Sequence, residues 1–436
     1  MGIFFCMPSI EGLSRFHYLC NMTELLIENT TLVQVREPNI SILKGEILKA
    51  LPILENAWIR CQGDRILDFG TMDNCPADNG QVIDAKGRFV FPSWCDSHTH
   101  LVFAAYREQE FVQRISGMSY ADIAANGGGI LNSARRLRAM SEEKLFEAAH
   151  QRLDQLIKSG TGAIEIKSGY GLSAEGELKM LRVIKRLKDV SPIPIKASFL
   201  GAHALPAAYK ENRKNYMDLL INELLPVIAE EKLADYVDIF CEKGFFSVAE
   251  AKRMMEAGNK YGLRAKIHTN QFNSMGGIEA AIAHGAISVD HLEVVNEAEI
   301  LALANSSVIP TLLPSAPFFL QDHYPPARQL INAGLPVALA SDFNPGTSPS
   351  GKMAFVVALA CIKMKMLPSE AINAATLNGA AALELANDYG SITKGKKANL
   401  FITKVMPSIA YIPYGFTEEI VDQVIINGQL LSKALV

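Results

Sequence analysis

Between about residue 89 and residue 350 the chain alternates short apolar runs with segments of helical period. The runs are "GRFVFPSWCDSHTH", "TGAIEIKSGYG", "PIKASFLGAH", "DYVDIFCEKG", "RAKIHTNQF", "AISVDHLE", "VIPTLLPSA" and "PVALASDFNPG". Near-continuous apolar strands belong to a parallel sheet covered by helices, because a sheet with one wet face alternates apolar and polar positions. The helical segments carry their own punctuation. "SEEKLFEAAHQRLDQLIKSG" opens on Ser141 as N-cap, keeps Leu145, Ala149, Leu153 and Leu156 on one face, and stops at Gly160. "SVAEAKRMMEAGNKYG" pairs Ser247 with Glu250 as a capping box and ends at Gly262. Eight such strand–helix units predict an α/β fold, a (β/α)8 or TIM barrel. The runner-up, an open doubly wound sheet, is weakened by the lack of a GxGxxG turn after a first strand and of a GK[ST] loop.

The two ends have a different texture. "LLIENTTLVQV", "AWIRCQGDRILDFG" and "QVIDAKGRFVF" near the start, and "GSITKGKKANLFITK" and "VDQVIINGQLL" near the end, are strand-like and turn-rich. They predict a small β-sandwich domain formed by residues 24–88 and 389–436, with the barrel in 89–388. Residues 1–23 are expected to be an extension outside the fold. Their apolar run is short and has no basic residue before it, which argues against a signal peptide.

Charge and cysteine usage narrow the function. A net charge of −4 gives no basic excess for nucleic acid or an acidic membrane. The 7 cysteines are scattered without a CxxC pair, as expected of reduced thiols in a cytoplasmic protein. No run is long and apolar enough to span a bilayer.

Catalytic side chains of a barrel stand at the C-terminal ends of its strands. Here those ends carry His98-Thr99-His100, Lys167, His203, Cys241-Glu242, His268, Asp290-His291 and Ser341-Asp342. Residues i and i+2 of a strand face the same way, so His98 and His100 converge on the barrel mouth. Imidazole nitrogens and a carboxylate bind a borderline divalent metal while leaving a position open for water. His268 and Asp342 complete the set. An HxH pair alone is a weak signal. HxH with single histidines on strands five and six and an aspartate on strand eight is a strong one. Arg107 is the natural partner of an anionic substrate group, since a guanidinium grips a carboxylate with two donors. Lys167 reads as a satisfied strand-end lysine rather than a carboxylated metal bridge, and Glu242 as a hydrogen-bonding partner of a ligand or of the substrate.

The stretches "DSHTHLVFAAYREQEF", "GMSYADIAANGGGI", "EIKSGYGL", "SFLGAHALP", "SVDHLE" and "SDFNPGTSP" resemble the motifs of the amidohydrolase superfamily and, within it, of the imidazolonepropionase family. The likeness runs from about residue 24 to the C-terminus. It implies hydrolysis of the cyclic C–N bond of 4-imidazolone-5-propanoate to N-formimino-L-glutamate, in histidine breakdown. It implies one divalent metal ion, zinc or iron, on His98, His100, His268 and Asp342. Asp342 would take the proton of the attacking water, His291 would shuttle one to the leaving nitrogen, and His203 would steady the oxyanion. Arg107, Tyr120 and Tyr170 would hold the propanoate tail. The loop Asn344, Gly346 and Thr347 would meet the ring, and Gly127, Gly128 and Gly129 would let a loop approach it. A homodimer is also implied. Gln271 stands where related deaminases have an acid; an amide hydrogen-bonds but takes no proton. That lowers the alternative, a purine-type aminohydrolase using the same metal cage.

Overall fold

The computed structural model describes residues 24–77, 80–118, 122 and 128–431. The expected extension 1–23, Tyr120 and Gly127 lie outside the described residues. The barrel strands are β6 (Trp94–Asp96), β7 (Thr161–Lys167), β8 (Ile195–Ala202), β9 (Tyr236–Cys241), β10 (Arg264–Thr269), β11 (Ser288–His291), β12 (Ile309–Leu312) and β13 (Ala338–Leu339). They pair in sequence order, parallel throughout. All eight strands anticipated from the apolar runs are present. The ring closes just beyond the last strand. Asp342 N–H donates to His98 C=O at 3.0 Å and His100 N–H donates to Phe343 C=O at 2.9 Å, around a parallel bridge between Thr99 and Phe343.

The helices form where their caps predict. Glu142–Lys158 begins behind Ser141, whose side chain accepts from Lys144 N–H, and buries Leu145, Ala149, Leu153 and Leu156. Val248–Lys260 has both bonds of the Ser247–Glu250 capping box. Among the described residues no helix is long and apolar enough to cross a membrane, and the described cysteines are all free.

A second, eight-stranded sheet is built from both ends of the chain. It contains β1 (Glu24–Val33), β2 (Ile53–Gln62), β3 (Arg65–Thr71), β4 (Gln81–Asp84), β5 (Phe89–Pro92), β14 (Leu400–Thr403), β15 (Val421–Ile426) and β16 (Gln429–Leu430). Its core is its own, with Ile27, Ile59, Val90, Leu400 and Ile425 among the buried residues. Because β5 pairs with β1 and β14, the chain enters the barrel a few residues beyond the expected boundary at 89.

The two units are pinned together by side-chain amides. Asn378 Oδ1 accepts from Leu43 N–H at 2.8 Å, and its Nδ2 donates to Leu43 C=O at 2.9 Å and Val337 C=O at 2.8 Å. Truncation would leave three buried backbone groups without partners, each costing about 1–3 kcal/mol. Asn378→Ala is expected to lower stability by about 2–4 kcal/mol, read as a fall in denaturation midpoint with the folded enzyme still active.

Candidate metal centre and substrate cavity

His98 and His100 project from the backbone that closes the ring, so closure itself places them opposite Asp342. Asp342 Oδ1 lies 3.5 Å from His98 Nε2 and 3.5 Å from His100 Nε2. His268 Nε2 lies 3.4 Å from His100 Nε2. Donors bound to one tetrahedral ion at ~2.0–2.1 Å are separated by roughly 3.3–3.5 Å, so these spacings suit a shared cation. His98 Nε2 is buried without a hydrogen-bond partner, as a nitrogen reserved for a metal would be. His98, His268 and His291 form an overlapping group, with one donor atom from each within 4.8 Å of the others. The donor set fits a divalent metal ion.

The rings are oriented from below. His98 Nδ1 is 2.6 Å from Asp290 Oδ2 and His268 Nδ1 is 3.1 Å from Asp238 Oδ1. A carboxylate beside Nδ1 fixes the proton there and turns the Nε2 lone pair to the centre. Lys167 Nζ bonds Glu165 Oε1 at 2.6 Å and Asp238 Oδ2 at 2.8 Å, with Asp290 Oδ2 3.8 Å away. Lys266 pairs with Glu165 and donates to Ser97 C=O at 2.7 Å. Lys167 is thus the satisfied lysine anticipated. Burial alone would discharge it, but Asp238, Glu165 and Asp290 more than offset burial and hold its pKa above the ordinary value. The sequence reading missed Glu165, Asp238 and Lys266. The signal was there, since Glu165 and Lys266 precede Lys167 and His268 by two residues on the same strand faces.

Burial pushes His268 down to about 3 and His203 to about 4, keeping both neutral. Burial pushes Asp342 up to about 7, a costly place for a carboxylate unless a cation stands beside it. His291 goes the other way. Burial disfavours its charge, but Glu293, Asp342 and Asp290 outweigh burial and raise its pKa. Glu293 Oε1 is 3.4 Å from His291 Nδ1, a partner the sequence reading did not single out.

A cavity of about 430 Å³ opens over these groups. Arg107, Tyr170, His203 and Gln271 line it, as do Asn344, Gly346 and Thr347. Every predicted substrate contact among the described residues is therefore brought to one space, together with the unanticipated Phe240, Phe245 and Phe272. The Tyr170 ring meets His100 and His203 edge-on. Its loop is held by buried Glu177, which accepts from Gly169, Gly171 and Leu172 N–H. His203 stacks on His100 with an interplanar angle of 13°.

Two side chains differ from expectation. Asn344 spends its amide within its own loop, accepting from Gly346 and Thr347 N–H at 2.8 Å each and donating to Asp342 C=O at 2.6 Å. Glu242 turns away from the centre and accepts from Phe272 and Asn273 N–H, anchoring the loop after His268.

The fold and its donor set define a metal-dependent hydrolase of the amidohydrolase class, and that family's profile matches residues 89–431. Imidazolonepropionase from Christiangramia forsetii is 54% identical over 94% of this chain and 100% of its own length. That from Flavobacterium johnsoniae is 56% identical over 93% of this chain and 99% of its own length. The chain belongs to the imidazolonepropionase family of amidohydrolases. In fold it is also similar to an adenosine deaminase from Xanthomonas campestris with bound zinc, with a TM-score of 0.65, 17% identity, and coverage of 94% of this chain and 92% of that one.

The oriented imidazoles yield a test. Asp238→Asn removes the charge facing both His268 and Lys167. It is expected to lower metal affinity by about 10–100-fold, measured by competition with a chromophoric chelator.

Proposed function

We infer that the protein hydrolyses the ring of 4-imidazolone-5-propanoate to N-formimino-L-glutamate, a step of histidine breakdown. The observation that carries this reading is that three of the candidate metal donors, His100, His268 and Asp342, line the same cavity as Arg107. One end suits a ring carbonyl and the other a carboxylate tail. His98, His100, His268 and Asp342 would hold zinc or iron, to either of which imidazole and carboxylate donors are suited. The ion, when bound, supplies Lewis acidity that brings the pKa of water from about 15.7 to about 7.

The chain's own groups then divide the work. Arg107 fixes the tail, with Tyr170 beside it. Water oxygen bonds to the ring carbonyl carbon, and Asp342 takes its proton at the carboxylate. The C–N bond breaks, and His291 gives the leaving nitrogen a proton from Nε2. Glu293 supports this role by holding Nδ1. Gln271 leaves no acid at its position, so proton transfer falls to Asp342 and His291.

His203 takes a role other than the expected oxyanion donor. Its Nδ1 is 3.2 Å from Gly169 C=O. A carbonyl only accepts, so Nδ1 carries the ring proton. A neutral imidazole in that tautomer presents Nε2 as an acceptor, which suits a substrate ring N–H rather than a developing oxyanion.

The cytoplasm, where free thiols persist, is the compartment this reading supports. Arg107→Met is expected to retain its metal and raise KM by at least about ten-fold with a smaller change in kcat, checked by steady-state kinetics and elemental analysis. Unchanged KM would remove the tail assignment. Chelation is expected to abolish turnover, and reconstitution with zinc or iron in separate samples identifies the ion that restores it.

A further inference from the structure

Arg107 does not reach the cavity as a loose cation. It stands at the N-cap of the helix Glu108–Ile115, with Glu110 in the first turn of that helix. Arg107 Nε donates to Glu110 Oε2 at 2.8 Å, and Nη2 donates to the same oxygen. The two side chains are only 15% and 13% exposed. Nε and Nη2 form one lateral edge of the guanidinium, so that edge is taken. The terminal edge, Nη1 with the second N–H of Nη2, remains for a ligand. Nη1 lies against Gly346, where an added Cβ would come within 2.5 Å of it. Arg107 and Gly346 both border the substrate cavity. The second carboxylate oxygen, Glu110 Oε1, is buried and has no hydrogen-bond partner. The carboxylate is therefore committed to Arg107 through a single oxygen.

We propose that Glu110 is a positioning residue for substrate recognition: it clamps the lateral edge of Arg107 so that the terminal edge meets the substrate carboxylate in one orientation, over a Gly346 whose lack of a side chain leaves room for Nη1 where the clamp holds it. The proposal rests on the reading of Arg107 as the partner of the propanoate tail. A fixed guanidinium also fixes the distance between the metal donors and the tail anchor. The clamp is therefore a length gauge that favours a propanoate over a shorter acetate tail.

Two physical effects of Glu110 have opposite signs. Its negative charge beside Arg107 repels an incoming carboxylate, so a purely electrostatic role predicts tighter binding when the charge is removed. Its clamp spares Arg107 the loss of rotamer freedom on binding, a loss worth roughly ten-fold in affinity. A positioning role predicts weaker binding when the clamp is removed. The sign of the change in KM separates them.

The test is steady-state kinetics on the metal-loaded enzyme with imidazolonepropanoate and its acetate homologue. The variants are Glu110→Gln, Glu110→Ala, Gly346→Ala, Arg107→Met and the Glu110→Gln/Arg107→Met double variant, each with metal content and melting temperature measured. Glu110→Gln, which keeps a neutral acceptor, is expected to raise KM about 3-fold and Glu110→Ala about 10-fold, with kcat within about 2-fold. Both should narrow the preference for propanoate over acetate. Gly346→Ala should raise KM through the same guanidinium, which keeps the proposal testable if a Glu110 variant folds poorly. Glu110→Gln should add nothing to Arg107→Met. An unchanged or lower KM in both Glu110 variants, beside a raised KM in Arg107→Met, overturns the clamp and spares the tail reading. An unchanged KM in Arg107→Met overturns both. An undiminished Glu110→Gln effect in the Arg107→Met background places Glu110 elsewhere and also overturns the clamp.

Discussion

The arrangement depends on two hydrogen bonds beneath the candidate metal histidines, Asp290 to His98 and Asp238 to His268. An imidazole offers a metal one lone pair in one direction, and a ring free to rotate about its side chain would offer it anywhere. The carboxylates remove that freedom and choose the tautomer. They are themselves fixed by Lys167, which faces Asp238, Glu165 and Asp290 at once. These groups come from β7, β9 and β11, and Lys266 adds β10. The barrel interior is therefore a charged layer whose members are satisfied by one another. Removing one member leaves its partner ionised and buried, a larger penalty than the bond itself is worth. Three carboxylates face two ammonium groups in this layer, an excess of negative charge that a divalent cation above it would offset.

The cavity walls are loops, and each is held by a side chain turned onto its own backbone. Asn344 ties the loop after Asp342, Glu177 the loop carrying Tyr170, and Glu242 the loop after His268. Each bond satisfies buried N–H groups that no strand or helix serves. The loop carrying Tyr170 also packs so closely on the following helix that a Cβ at Gly176 would come within 2.8 Å of Gly171 Cα. Both positions are therefore confined to glycine, and the tyrosine's approach to His100 and His203 depends on them.

What was legible in the sequence followed from periodicity and position. The eight strands, the capped helices and the shared small sheet all come from short-range pattern. The strand-end histidines and Asp342 could be grouped because a barrel brings those ends together. What was not legible depends on which side chains meet inside the ring. The period-2 rule places Glu165 with Lys167 and Lys266 with His268 on inward faces, but not which acid pairs with which base across the barrel. The pairing of β5 is of the same kind, because an apolar run serves either sheet. So is the tautomer of His203, which depends on a carbonyl in a loop distant in sequence. Glu242 and Asn344 stand at strand ends as their positions imply, but their bonds go to the backbone of neighbouring loops, a competition that sequence alone does not settle.

His291 is held differently from the other histidines at the strand ends. The first two barrel histidines follow a strand whose backbone runs straight into the ring closure, whereas His291 has φ 89° and Leu292 φ 69°. A left-handed conformation at a residue with a Cβ costs on the order of 1–3 kcal/mol and persists only where surroundings over-determine it. Here they do. Asn270, itself left-handed at φ 57°, accepts from Val294 N–H at 2.9 Å, and its side chain donates to Val294 C=O at 2.8 Å and to Glu299 at 2.9 Å. The ends of β10 and β11 are thus tied to each other just beyond His268 and His291. The turn rotates His291 out of the strand's regular alternation and sets its ring nearly perpendicular to His98, at 83°. It also brings Glu293 beside Nδ1. A ring held by strain at the edge of the donor group, with a carboxylate raising its pKa, suits proton transfer. The neutral, desolvated His98 and His268 suit coordination. The backbone turn at His291 therefore gives this histidine a setting distinct from that of His98 and His268.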